Sequence, residues 1–195
     1  MIELQGPAIC FRDERFDLAP APEGPHFVGG AIRADQRGLE LGTRPLQRIA
    51  QLSAGLPLVD ALRAAGHVDG HGLELFYGLA YSGCRMAWRC TPGRCELVEL
   101  EPRQAELDWP YPGAPDELPL EAWAVAERRP WPAERVSDEF LDGDPLGPEE
   151  GLVVIPPLRP GGVPLWDPEG EAEGVQILFR VHVGTGCVRA WNRCS

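Results

Sequence analysis

The residues best suited to chemistry are the cysteines, and four of the six sit in a pattern that the chain writes twice. Residues 83–90 read Gly-Cys-Arg-Met-Ala-Trp-Arg-Cys, and residues 186–194 read Gly-Cys-Val-Arg-Ala-Trp-Asn-Arg-Cys. Each copy has a Phe eight positions before its first Cys, Phe76 and Phe179. Thiolates at Cys84, Cys90, Cys187 and Cys194 would make a soft-metal site or, beside a histidine, a nucleophile. The spacing argues against metal: five residues separate Cys84 from Cys90, four separate Cys90 from Cys95, and six separate Cys187 from Cys194. Structural zinc knuckles hold their ligand pairs closer together. A disulfide between Cys90 and Cys95 across a hairpin is one alternative, and unpaired thiols packing as small apolar groups is another. His67 and His71 lie near Cys84 in sequence and His182 precedes Cys187, but four histidines in one chain make such proximity unsurprising.

The second chemical feature is charge. Every fixed cation is an arginine, and the net charge is −12. Residues 1–95 hold ten acids and ten arginines, residues 96–173 hold twenty acids and five arginines, and residues 174–195 hold three arginines and no acid. Both copies of the pattern are therefore basic islands in an acidic protein. Arg85, Arg89, Arg94, Arg180, Arg189 and Arg193 would form one patch if their strands were neighbours. Arginine recognises carboxylate or phosphate in a planar, bidentate way, so such a patch would take an anion unless the chain's own acids neutralise it. General nucleic-acid binding is disfavoured, because it needs a net electropositive face.

The acid peaks in residues 137–150, where Asp138, Glu139, Asp142, Asp144, Glu149 and Glu150 crowd together. Asp142 and Asp144 begin like a calcium loop, but Leu146 and Val153 occupy later ligand positions, which argues against it. These six acids are instead the expected contact surface for a basic protein or peptide. No phosphate-binding Gly-Lys loop, dinucleotide Gly-x-Gly-x-x-Gly, Gly-x-Ser-x-Gly elbow or His-Glu-x-x-His is present, and no cofactor is expected. No run of about 18 apolar residues and no basic-then-apolar leader occurs, so a cytoplasmic location without membrane contact is expected.

These residues must be positioned by an α+β arrangement. Strands are expected at 26–33 and 38–41. Thr43 would cap a helix with Leu46, Ile49, Ala50 and Leu52 on one face until Gly55, and Pro57 starts a second helix ending at Gly66. Residues 70–82 fit helix and strand equally well by spacing, and Asp69 as cap with Gly83 as stop tips the reading to helix. Strands at 84–90 and 95–100 flank the Thr-Pro-Gly-Arg turn. A helix is expected over 120–129, a strand over 151–155, and a C-terminal hairpin from Val175–Val183 and Cys187–Cys194. Residues 1–25 show no clear periodicity.

With Gly55 and Gly66 as helix stops, the order strand, strand, helix, helix, helix, strand over 27–90 resembles a winged-helix arrangement. It also resembles the small winged-helix domains that hold precursor peptides during ribosomal-peptide maturation. That resemblance implies a peptide groove between helix 70–82 and its neighbouring strand. The organisation expected is a helical, winged-helix-like segment 1–101 with a hairpin, then an acidic, Pro-rich segment 102–195 closing with a hairpin, or the two as one integrated domain. The function expected is a non-catalytic, cytosolic protein-binding module of the toxin-neutralising immunity or adaptor type. The alternatives are a peptide-binding partner in peptide maturation and a metal- or thiol-dependent enzyme using the clustered cysteines.

Overall fold

The computed structural model describes residues 6–32, 40–41, 44–79, 85–101, 117–132, 145–163, 165 and 175–194. The described residues are mostly strands, some made by apolar–polar alternation and some buried on both faces. They are β1 (Ala8–Phe11), β2 (Glu14–Pro20), β3 (His26–Val28), β4 (Glu40–Leu41), β5 (Arg44–Pro45), β6 (Gln47–Leu52), β7 (Leu73–Tyr77), β8 (Arg85–Thr91), β9 (Arg94–Glu101), β10 (Glu121–Pro130), β11 (Glu150–Ile155), β12 (Val175–His182) and β13 (Cys187–Cys194). The α-helix among the described residues is α1, Pro57–Ala64.

Eleven of the strands form one antiparallel sheet in the order β7-β6-β3-β10-β2-β1-β11-β12-β13-β8-β9, curled into a half-barrel, while β4 and β5 pair separately. Strands from distant parts of the chain interleave: β10 lies between β3 and β2, and β8 lies beside β13. The inner face carries the core, including Ile9, Phe16, Trp88, Trp123, Val153 and Phe179. α1 packs into this hollow through Leu58, Val59 and Leu62. Gly151 of β11 makes room for it, since a β-carbon there would stand 2.7 Å from Leu58 Cδ1.

Strand β7, at one end of the sheet, reaches side chains near the other end across the hollow. Phe76 meets Trp88 edge-to-face at 6.0 Å, Tyr77 meets Phe179 at 6.5 Å, and the Tyr77 hydroxyl donates to Asn192 Oδ1 at 3.1 Å. Such edge-to-face pairs add to the area that the rings bury. The outer face holds a smaller apolar cluster of Cys10, Trp131, Leu152, Val154 and Leu178, with Leu146 and Trp191 packed against it.

Three expected helices are strands, and the winged-helix reading falls with them. In β6 the residues Gln47, Arg48, Ile49 and Ala50 are all buried. A strand covered on both faces, with a bulge between Arg48 and Ala50, imitates helical spacing. The expected helix 70–82 is β7 over Leu73–Tyr77, paired with β6 and wholly buried. The proposed peptide groove beside that helix therefore does not exist. The Ala- and Glu-rich stretch 120–129 has good helix formers, yet it is β10, paired with β2 from Trp123↔Pro20 to Pro130↔Glu14 and with β3. Cross-strand pairing overrides a helix propensity worth only tenths of a kcal/mol per residue. The unpatterned entry segment is the β1–β2 hairpin, whose turn residues Arg12 and Asp13 both adopt left-handed φ, 50° and 61°.

The strands expected at 84–90, 95–100, 151–155 and the C-terminal hairpin are present as β8, β9, β11 and β12–β13, and the helix starting at Pro57 is α1.

Candidate functional site

The two copies of the repeated pattern are neighbours. β13 pairs with β8 through Cys187↔Arg89, Val188↔Trp88, Arg189↔Ala87 and Ala190↔Met86. Side chains alternate along each strand, so Met86, Trp88 and Cys90 are buried in the inner face while Arg85 and Arg89 are exposed on the outer one. On β13 the phase is reversed for the aromatic residue. Val188 and Ala190 are buried inside, and Trp191 lies half-buried in the outer cluster with exposed Arg189 and Arg193 beside it.

The outer face of β12, β13, β8 and β9 thus gathers the arginines that the sequence singled out. Arg180 stands directly opposite Arg189, Arg193 opposite Gln176, and Arg94 faces Thr91 at the hairpin tip. Acidic positions flank them on both sides. Arg89 is the cross-strand partner of exposed Glu96, Ala87 of Glu99, and Arg85 of Glu101. On the other flank Glu150 takes Arg180 in a fork: Arg180 Nε donates to Oε1 at 2.9 Å and Nη2 to Oε2 at 2.5 Å. Burial opposes ionisation of Glu150, but Arg180, the Gly147 N–H and nearby His182 outweigh it and hold its carboxyl below the usual range. Arg180 is thereby withdrawn from any free patch.

A second ionic assembly, on β2 and β10, has no counterpart in the sequence reading. Arg15 and Arg129 face each other across the strands. The Asp17 carboxylate lies between them, 2.6 Å from Arg15 Nη2 and 3.1 Å from Arg129 Nη2. Both guanidinium groups also stack on the Trp131 ring, at 4.8 and 5.5 Å. Arg128 pairs with Glu14 at 2.5 Å. Only the β2–β10 register brings these groups together, so spacing along the chain carried no signal of them.

Beside this assembly is a pocket of about 190 Å³ lined by Cys10, Phe11, Arg12, Asp13, Trp131, Leu146 and Glu150, among others. Asp138, Glu139, Asp142 and Asp144 lie outside the described residues. Glu149 is exposed, and its carbonyl accepts the Val183 N–H at 2.8 Å. Of the two described acids in that group, Glu150 is held by the Arg180 cation.

Cys90 and Cys187, the two pattern cysteines whose side chains are described, do not converge. Cys90 is buried on the inner face of β8, whereas Cys187 lies half-buried between Arg189 and Arg89 on the outer side. Burial raises the Cys187 thiol pKa, with Cys90 and Glu99 adding to the rise and the two arginines opposing it. Cys84 lies outside the described residues, and Cys194 is placed by its backbone opposite Val175. Among the described residues no group of three or more His, Cys, Asp or Glu is arranged to hold a metal ion.

Fold and surface together define an antiparallel β half-barrel with α1 in its hollow and an ionic outer face. No protein-family model matches the chain, and neither a curated protein nor a solved structure matches it.

Proposed function

We propose that this protein is a non-catalytic binding module, of the immunity or adaptor kind, that presents acid to a basic protein or peptide in the cytoplasm. The observation that carries this reading is the direction of the internal ion pairs. Residues 96–173 contain five arginines against twenty acids. Two of those five, Arg128 and Arg129, are committed to Glu14 and Asp17, outside the acidic stretch. Arg180, from outside the stretch, is held by Glu150 within it, so among the described ion pairs the stretch gives up two arginines and receives one. Unneutralised carboxylates steer and select a cationic partner more than they stabilise a fold. Among the described residues no helix is long and apolar enough to cross a membrane.

The test is a neutralised variant, Asp138→Asn, Glu139→Gln, Asp142→Asn, Asp144→Asn and Glu149→Gln, with Glu150 kept because it holds Arg180. Wild type should retain a basic protein in stoichiometric amount from its own cell extract and release it as salt rises towards about 0.5 M, where screening is short-ranged. The variant, with an unchanged unfolding midpoint, should not retain it. Retention that ignores both salt and the substitutions overturns the reading.

A further inference from the structure

Cys90 and Cys95 are direct cross-strand partners in the β8–β9 hairpin, and their sulfurs lie 3.8 Å apart. The Cys90 N–H donates to Gly186 O at 2.8 Å, away from β9, so the two cysteines form a non-hydrogen-bonded pair. At such pairs the Cα atoms approach to about 4.5 Å, within the range of about 4.4–6.8 Å that a disulfide spans. The register is held next door. Thr91 pairs with Arg94, the Thr91 hydroxyl donates to Arg94 O at 3.2 Å, and Gly93 takes the turn's left-handed φ of 73°.

Access is asymmetric. Cys90 is buried and Cys95 is half-exposed. Both line a crevice of about 10 Å³ whose opposite wall includes His67, Asp69 and Glu74, from the loop before β7 and from β7 itself. His67 reaches across this seam, its Nε2 donating to Gly184 O at 3.3 Å.

We propose that Cys90 and Cys95 are a reversible dithiol–disulfide modification site, oxidised by exchange with a low-molecular-weight disulfide such as oxidised glutathione. The accessible Cys95 thiolate attacks one glutathione sulfur, forming a mixed disulfide and expelling one glutathione thiolate. The Cys90 thiolate then attacks Cys95 Sγ, closing the intrahairpin bond and expelling the second. The two cysteine protons end on the two glutathione thiols, and the two electrons lost by the cysteines reduce the glutathione disulfide. The strands already hold the attacking sulfur beside its target, so the second step is effectively intramolecular. Closing the bond draws the sulfurs from 3.8 Å to about 2.05 Å, and so reshapes the wall of the seam that the hairpin supplies. This inference is independent of the acidic-surface reading.

The experiment uses the full-length, fully reduced protein, incubated without oxygen with oxidised glutathione, then quenched, alkylated and peptide-mapped by mass spectrometry. With alkylation carried out in denaturant so that buried Cys90 is reached, Cys90 and Cys95 should lose alkylation together, appear joined and two hydrogens lighter, and recover with dithiothreitol. Cys10→Ser and Cys187→Ser should leave this unchanged, and Cys95→Ser should leave Cys90 alkylatable. A persistent glutathione adduct on Cys95 beside an alkylatable Cys90 overturns the proposal. So does full alkylation of both in the wild-type protein, which needs no variant to fold.

Discussion

Two copies of one pattern lie side by side in this sheet, yet their tryptophans face opposite ways. Trp88 is fully buried against Phe76 and Phe179 in the hollow, whereas Trp191, opposite Leu178, half-covers a small apolar cluster outside. In β8 the Ala-Trp dipeptide points Ala87 outward and Trp88 inward; in β13 Ala190 is inward and Trp191 outward. A one-residue shift of phase inverts every side chain of a strand. Two similar sequences thus lie side by side without equivalent roles.

The comparison breaks most plainly in stability. Trp88→Ala should cost about 3–5 kcal/mol, as large core truncations do. Trp191→Ala, from a half-buried site, should cost about 1–2 kcal/mol. Urea midpoints at unchanged slope measure both, and equal losses would mean that the outer cluster is as much a core as the inner one.

A smaller contrast separates arginines on the two ends of the outer face. Arg15 is buried between Asp17 and the Trp131 ring, so Arg15→Met should cost about 2–3 kcal/mol by stripping one cation from a half-buried carboxylate. Arg189, exposed beside Trp191, should leave the midpoint nearly unmoved when changed to Ala.

The thiols sharpen the same comparison in rates. Burial lifts the Cys187 pKa, so iodoacetamide should modify it several-fold more slowly than a free cysteine at about pH 8. Arg89→Ala or Arg189→Ala should shift the pH profile of that alkylation upward, because each arginine favours the thiolate. A profile that does not move would remove the arginines from the thiol's environment.

The smallest effect is expected at His26, buried far along the sheet from both copies, with Nδ1 accepting the Ser53 N–H at 3.2 Å. Burial lowers its pKa, so the unfolded chain takes up the proton first. Its contribution is complete above about pH 6.5 and declines as pH falls through that value towards the lowered folded-state pKa. His26→Leu should flatten this limb of the stability–pH curve.

Part of this architecture was readable along the chain. The 85–101 and 175–194 hairpins announced themselves by alternation around Thr-Pro-Gly-Arg and Gly-Thr-Gly, and α1 by Pro57 and Gly66. β6 was hidden because a strand buried on both faces loses its alternation: Arg48 sits inside only because Glu74 of β7 meets it at 3.2 Å and Gly29 O accepts its Nε–H at 3.0 Å. β10 was hidden because Glu, Ala and Arg favour a helix when nothing else competes. The arginine face was half-visible. Residue types named its members, but only register showed Glu150 holding Arg180 and β9 facing Arg89 with Glu96.

By itself, then, the sequence determined local periodicity, turn positions, the total of charge and the segregation of acid into 96–173. These depend on neighbours within a few residues or on composition alone. The tertiary structure decided which face each tryptophan takes, which acids find arginines, and that Cys90 and Cys95 meet while Cys90 and Cys187 part. Those outcomes follow from pairing between strands far apart in the chain, where a register one residue different exchanges the two faces of the sheet.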